Sequence, residues 1–80
     1  MDSLTEIKTI LALLLETEVK SKADLKDWYE LAQSVEQLAS ASSIELPHLV
    51  WHYLSDADIR LKEPDYGKDQ IEEVQSFIDS

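Results

Sequence analysis

Two histidines lie four residues apart in the stretch PHLVWHYLSD, residues 47–56, and an aspartate follows four residues later. On a helix, residues with this spacing lie on one face, so His48, His52 and Asp56 would lie close together. Imidazole nitrogens and a carboxylate oxygen are ligands that Zn²⁺ accepts, and the spacing therefore allows a weak metal site. The HExxH motif of zinc proteases is excluded, because Leu49 follows His48. The alternative is a solvent-exposed helix face on which His52 and Asp56 form a pair. We expect the protein to have no cofactor.

Other reactive arrangements find little support in the sequence. An EF-hand loop that began at Asp56 would need glycine at position 61 and glutamate at position 67, where the chain has Leu61 and Gly67. With one glycine in the chain, a phosphate-cradling loop is also excluded. The serines, histidines and carboxylates are not ordered as a nucleophile, a base and an orienting group. The sequence therefore predicts a protein that is not an enzyme.

The chain is strongly acidic, with 17 aspartates and glutamates against 7 lysines and arginines and a net charge of −10. The one concentration of positive charge is formed by Lys20, Lys22 and Lys26. Nucleic acid and anionic membranes would be repelled, whereas a basic protein would be attracted, so we expect no nucleic-acid or membrane partner. The same charge also keeps the chain soluble, whether or not it has a partner.

The sequence also indicates a compartment. It contains no cysteine, which argues against a small secreted domain stabilised by disulfides. The start, MDSLTE, lacks the positive region of a signal peptide, and the longest apolar run, ILALLL, is far shorter than the ~20 residues that span a bilayer. We therefore expect a cytoplasmic protein.

Apolar residues recur with helical period along the whole chain. The segment SLTE predicts a capping box on Ser3 and Glu6, from which a first helix runs to about residue 19. At helical period Leu13 falls on the polar side of this helix. A second helix follows Ser21, a predicted cap, and the small polar residues SASS, 40–43, favour its end.

Proline marks the boundaries of the remaining helices. Pro47 is predicted in the first turn of a third helix that continues to Lys62 or Glu63. The last helix begins either at Pro64 or near Asp69, and the sequence leaves both starts open. Four amphipathic helices with short connections bury their apolar stripes against one another. The sequence therefore predicts an all-α fold, a small compact bundle of about four amphipathic helices, in one domain spanning residues 1–80.

The predicted third helix carries more apolar surface than one face can bury. Its core side is predicted to consist of Val50, Tyr53, Leu54, Ala57 and Leu61. Trp51 and Leu49 lie at the margins of that side and Ile59 lies beyond it, where they either seal the bundle or contact a partner. Acidic residues nearby would attract a basic partner. The predicted partner-binding set is Leu13, Trp51, Tyr53, Asp56, Asp58, Ile59, Asp65, Glu72 and Glu73.

The segment HYLSDADIRLKEPDYGKDQIEEVQSFI, residues 52–78, resembles the region from the third to the fourth helix of the colicin DNase immunity proteins. In that family a Tyr-Tyr-Pro-Ser-Asp segment supplies the tyrosines and the aspartate that bind the nuclease. Here HYLSD keeps Tyr53, Ser55 and Asp56 and lacks the second tyrosine and the proline. The resemblance implies a small acidic helical protein, without enzymatic activity, that masks a basic nuclease or toxin.

Three functional hypotheses follow from these residues. The leading one is a small acidic, non-enzymatic protein–protein interaction module that binds a basic protein or associates with itself. The first alternative is an immunity-type inhibitor, which predicts a single tight basic partner. The second alternative is weak metal binding through His48 and His52, which a zinc titration would test.

Overall fold

The computed structural model describes residues 2–80, in which helices pack into an all-α bundle of 34 × 23 × 19 Å and no strand occurs. This confirms the predicted fold class. A short 3₁₀ helix, Lys22–Asp24, directly precedes the second helix. Within residues 2–80, no helix has the length and apolar character needed to cross a membrane. The five helices are α1 (Ser3–Glu16), α2 (Leu25–Ala41), α3 (His48–Ser55), α4 (Ala57–Lys62) and α5 (Pro64–Asp79).

The helices share one buried apolar cluster. α1 packs against α2 and α5, and α5 also packs against α3 and α4. Most of the predicted apolar stripes are buried in this cluster, whereas Leu13 is exposed on α1, as its position on the helical wheel predicts. The buried apolar residues are Ile7, Leu11, Leu14, Val19, Trp28, Ala32, Val35, Ala39, Leu46, Val50, Tyr53, Leu54, Ala57 and Val74.

The cap of the first helix lies one residue earlier than predicted, so the helix begins at Ser3 itself. The backbone N–H of Thr5 donates to Asp2 Oδ1 at 2.8 Å, so Asp2 is the N-cap, and the predicted capping box on Ser3 is wrong. Aspartate and serine are equally good caps, and the Ser3 hydroxyl instead accepts a hydrogen bond from Ser42 Oγ at 2.8 Å. The helix ends at Glu16, earlier than predicted.

The second helix ends within the predicted SASS segment. Ser43 has a φ of 55°, in the left-handed region. Its N–H donates to Ser40 O at 3.3 Å, and the N–H of Ile44 donates to Ala39 O at 2.9 Å. This pattern is the Schellman motif, in which glycine usually occupies the left-handed position that Ser43 has here. At the other end, Ser21 caps the 3₁₀ helix without a side-chain hydrogen bond.

The predicted continuous third helix is wrong, because the chain breaks at Asp56 into α3 and α4. The Tyr29 hydroxyl of α2 lies at this break, 3.3 Å from Ser55 O, and accepts a hydrogen bond from the Asp58 N–H at 3.2 Å. A side chain from another helix therefore satisfies backbone groups that the break leaves without helical partners. Of the two predicted starts of the last helix, the structure has Pro64.

Candidate functional site

The single arginine of the chain, Arg60, is buried, with 5% of its surface exposed. Its Nε and Nη2 donate to the two carboxylate oxygens of Glu18 at 2.7 and 3.1 Å. Its Nη1 donates to the backbone oxygen of Tyr53 at 2.6 Å and to Gln70 Oε1 at 3.0 Å. This bidentate pairing fixes the guanidinium plane and joins α4 to the segment after α1 and to α5.

Two aromatic rings enclose the same guanidinium. Its Cζ lies 4.1 Å from the centroid of Tyr53 and 4.9 Å from that of Trp28, and the two rings contact each other edge to face at 5.4 Å. Away from water, a cation over an aromatic face gains about 2 kcal/mol. The rings and Glu18 together offset the cost of burying the charge. The cluster therefore holds the fold together.

Sequence reasoning missed this cluster, although one signal was present. On a helical wheel continued from α3, Arg60 lies about 20° from Tyr53, at the edge of the core side. Charged residues are usually exposed. The residue type therefore predicted an exposed side chain, although the position on the wheel indicates the edge of the core. Glu18 and Gln70 come from distant parts of the chain, and no spacing in the sequence indicates that they meet Arg60.

A hydrogen-bonded group continues from Gln70 to the surface between α3 and α5. Asp56 Oδ2 accepts a hydrogen bond from the Tyr66 hydroxyl at 2.8 Å and another from Gln70 Nε2 at 3.0 Å. Because Gln70 also accepts from Arg60, the buried cluster determines where Tyr66 and Asp56 lie. The Tyr66 ring, with 41% of its residue surface exposed, is thereby fixed on the outside of the bundle.

Beside this group lies a groove of about 220 Å³ between α3 and α5, which we call the acidic groove. Its apolar surface comes from Leu49, 47% exposed, and from the ring of Tyr66. Asp69 and Glu73 also line the groove, and within residues 2–80 no lysine or arginine does. An apolar depression bordered by carboxylates fits an apolar side chain that has basic neighbours. The lining residues are Leu49, His52, Tyr66, Asp69, Gln70 and Glu73.

The predicted apolar anchors are exposed, but they lie away from this groove. Leu13, Trp51 and Ile59 are exposed on α1, α3 and α4, and none of them lines the acidic groove. Trp51 is two residues from Leu49 and therefore about 200° away on the helix, on the other flank of α3. The structure thus does not unite the predicted anchors in one patch.

The predicted acidic residues are divided among different places. Glu73 lines the acidic groove, whereas Glu72 lines another groove on the opposite side of α5. Asp58 Oδ1 lies 3.0 Å from the Tyr29 hydroxyl at the break between α3 and α4. Asp65 is exposed in the first turn of α5. Sequence reasoning missed Leu49, Tyr66 and Asp69 as members of one site, because the packing of α5 on α3 brings them together.

The assignment of Tyr53 to a partner-binding surface is wrong. The residue has 0% exposed surface and its ring contacts Arg60, as expected of a core residue. Its hydroxyl has no hydrogen-bond partner within residues 2–80, and burial raises the pKa of this phenol above its ordinary value. The tyrosine to which the immunity-protein resemblance gives a binding role is therefore inaccessible here.

The predicted metal site is not formed either. Within residues 2–80, no three His, Cys, Asp or Glu side chains lie close enough to hold a metal ion. The break after Ser55 is the physical reason, since it removes Asp56 from the helix that carries His48 and His52. The Asp56 carboxylate is turned toward α5, where Tyr66 and Gln70 donate to it.

Comparison with known proteins identifies no relative of this chain. No protein-family model, no curated protein and no solved structure matches the chain. The resemblance of residues 52–78 to the colicin DNase immunity proteins therefore depends on those residues alone.

Proposed function

We propose that this protein is a small acidic interaction module, without enzymatic activity, that binds a basic segment of a partner protein in the acidic groove. The observation that carries the proposal is that exposed Leu49 and Tyr66 line one groove together with Asp69 and Glu73. An apolar side chain of the partner would enter the groove. Lysines or arginines on either side of it would meet the two carboxylates.

The rigidity of the groove supports this proposal. Tyr66 and Gln70 are held by Asp56, and Gln70 is held in turn by the buried Arg60. The groove would therefore lose less conformational entropy on binding than a mobile surface would. The net charge of −10 would accelerate the encounter with a basic protein, and added salt would reduce that effect.

The acidic groove also changes which residues we expect to contribute most to partner binding. Leu49 and Tyr66 replace Leu13, Trp51 and Ile59 as the proposed apolar anchors, because these two are exposed and line a depression together with carboxylates. Asp65 and Glu72 remain available on α5 to attract the partner from a distance.

A charge-reversal experiment tests the proposal. The wild-type chain, Asp69→Lys/Glu73→Lys and the control Asp27→Lys/Glu30→Lys would each be immobilised and exposed to cell lysate at low and high salt. The control places the same charge change on exposed positions of α2. We expect a basic protein that the wild type and the control capture at low salt, and that the groove variant and high salt both release. Equal capture by both variants, or equal loss in both, would contradict the assignment of the groove.

Two further results would specify what the groove binds without changing the position of the proposed site. If the captured protein is a nuclease or another toxin whose activity the module suppresses, the module is an inhibitor of the immunity type. If light scattering gives a homodimer that Leu49→Ser dissociates, the groove binds a second copy of the chain instead of a basic partner.

A further inference from the structure

A larger groove, of about 420 Å³, lies on the opposite side of α5 from the acidic groove. The segment after α1, helix α4 and the first half of α5 form its walls. Its apolar surface comes from Val19, which is buried, and from Leu61 and Ile71, which are half-buried. A cavity of this size is within the range of about 300–1,000 Å³ that is typical of small-molecule sites.

The charges around this groove differ in sign from those of the rest of the molecule. The ammonium groups of Lys20 and Lys68 border it, and within residues 2–80 neither takes part in an ion pair. Of the two lining glutamates, Glu18 is already paired with Arg60, which leaves only Glu72 to oppose the two lysines. The groove thus has an excess of positive charge in a chain whose net charge is −10.

The site is also preorganised. The bidentate Arg60–Glu18 pair holds the segment after α1 against α4, so the position of Val19 and Lys20 is fixed relative to Leu61. The backbone that carries Val19 and Lys20 therefore keeps its position relative to Leu61 without a ligand. Negative charges farther away than the screening length, about 8 Å at physiological salt, act weakly here.

We propose that this groove, which we call the lysine-bordered groove, binds an amphipathic carboxylate such as a medium-chain fatty acid. The alkyl chain would lie on Val19, Leu61 and Ile71. The carboxylate would lie between the ammonium groups of Lys20 and Lys68. A basic or neutral apolar ligand would leave the lysines without a role, and a fully polar anion would leave the apolar wall in water.

Titration of the isotope-labelled protein with decanoate, below its micelle concentration and followed by NMR, tests this inference. We expect saturable shifts at Val19, Leu61 and Ile71, and about tenfold weaker binding for octanoate, which has two fewer methylenes. Lys20→Gln/Lys68→Gln is expected to weaken decanoate binding by about tenfold, the effect of two exposed ion pairs. The control Lys22→Gln/Lys26→Gln removes the same charge from exposed positions outside the groove.

Three results would overturn the inference. Decanoate could produce no saturable shifts, or it could bind Lys20→Gln/Lys68→Gln as tightly as the wild type while that variant keeps its native spectrum. Decyltrimethylammonium could also bind as tightly as decanoate, which would show nonspecific adsorption of the alkyl chain. Capture of a basic protein in the acidic groove has no bearing on these results, because the two grooves share no residue.

Discussion

Gly67 and Arg60 are in direct contact across the packing of α5 on α4. A Cβ added to Gly67 would lie 2.9 Å from Arg60 Cγ and 3.0 Å from its Cβ and Cδ. Those atoms cannot move aside easily, because hydrogen bonds to Glu18, Tyr53 and Gln70 hold the guanidinium in place. The only glycine of the chain therefore occupies a helical position that lies directly on the buried arginine.

Gly67→Ala should accordingly destabilise the protein, although alanine favours a helix by about 1 kcal/mol over glycine. We expect the collision with Arg60 to exceed that gain and to lower the free energy of unfolding by about 1–3 kcal/mol in urea denaturation. In an Arg60→Ala background the same substitution should cost less, because Cγ and Cδ are removed and only the contact with the Cβ of residue 60, at 3.0 Å, remains. An equal effect of Gly67→Ala in both backgrounds would contradict this account.

The Arg60–Glu18 pair is expected to be strongly coupled. Arg60→Met should lower the free energy of unfolding by about 3 kcal/mol, because it leaves the half-buried Glu18 carboxylate without its ion-pair partner. Glu18→Gln in addition to Arg60→Met should restore part of that loss, with a coupling energy of about 1–3 kcal/mol in a double-mutant cycle. Additive effects would mean that water, rather than Arg60, solvates Glu18.

The Tyr29 hydroxyl is expected to stabilise the break between α3 and α4. Tyr29→Phe removes the hydrogen bond that the Asp58 N–H donates and should lower the free energy of unfolding by about 1 kcal/mol. The amide of Asp58 should also exchange its hydrogen faster than in the wild type. Tyr66→Phe is the control, since its exposed hydroxyl bonds a side chain and no backbone group at the break. If α3 and α4 keep the same exchange rates in Tyr29→Phe, another interaction maintains the break.

These contacts show which parts of the structure the sequence could predict. Helical period placed Val50, Leu54 and Ala57 in the core and Leu13 outside it, because one face of each helix is buried. The break at Asp56 depends on a hydroxyl from α2, and the burial of Arg60 depends on Glu18. The acidic groove likewise exists only where α3 and α5 meet. Such features form only where different helices meet, so the spacing of residues along the sequence does not predict them.

The end of α2 offers a substitution that should stabilise the protein. Ser43 has a left-handed conformation that costs a residue with a Cβ about 1 kcal/mol relative to glycine. Ser43→Gly keeps the backbone hydrogen bonds of the Schellman motif and should raise the free energy of unfolding by up to about 1 kcal/mol in urea denaturation. The matched control Ser40→Gly, inside the helix, should lower it by about 0.5–1 kcal/mol. Destabilisation by Ser43→Gly would show that the serine side chain has a compensating contact.

The tyrosines predict how stability depends on pH in the alkaline range. Burial raises the pKa of Tyr53 and of Tyr29, and the hydrogen bond to Asp56 raises that of Tyr66. Because folding favours the protonated phenol at each position, this contribution to stability is complete below the ordinary pKa of 10.0 and is lost as the pH rises above it. Phenolate absorbance and circular dichroism, recorded together, should show that Tyr53 ionises only as the helices unfold.

Tyr53→Phe separates the effect of this phenol from that of the other two. The variant should unfold at a higher alkaline pH than the wild type, since it has no buried hydroxyl that must ionise. At neutral pH its free energy of unfolding should rise by about 1 kcal/mol, because the Tyr53 hydroxyl is buried without a partner within residues 2–80. Tyr66→Phe should move the alkaline transition less, as its ring is exposed in the native state. Ionisation of all three tyrosines with the helices intact would show that Tyr53 is accessible to solvent, and the enclosed Arg60 cluster would then be wrong as well.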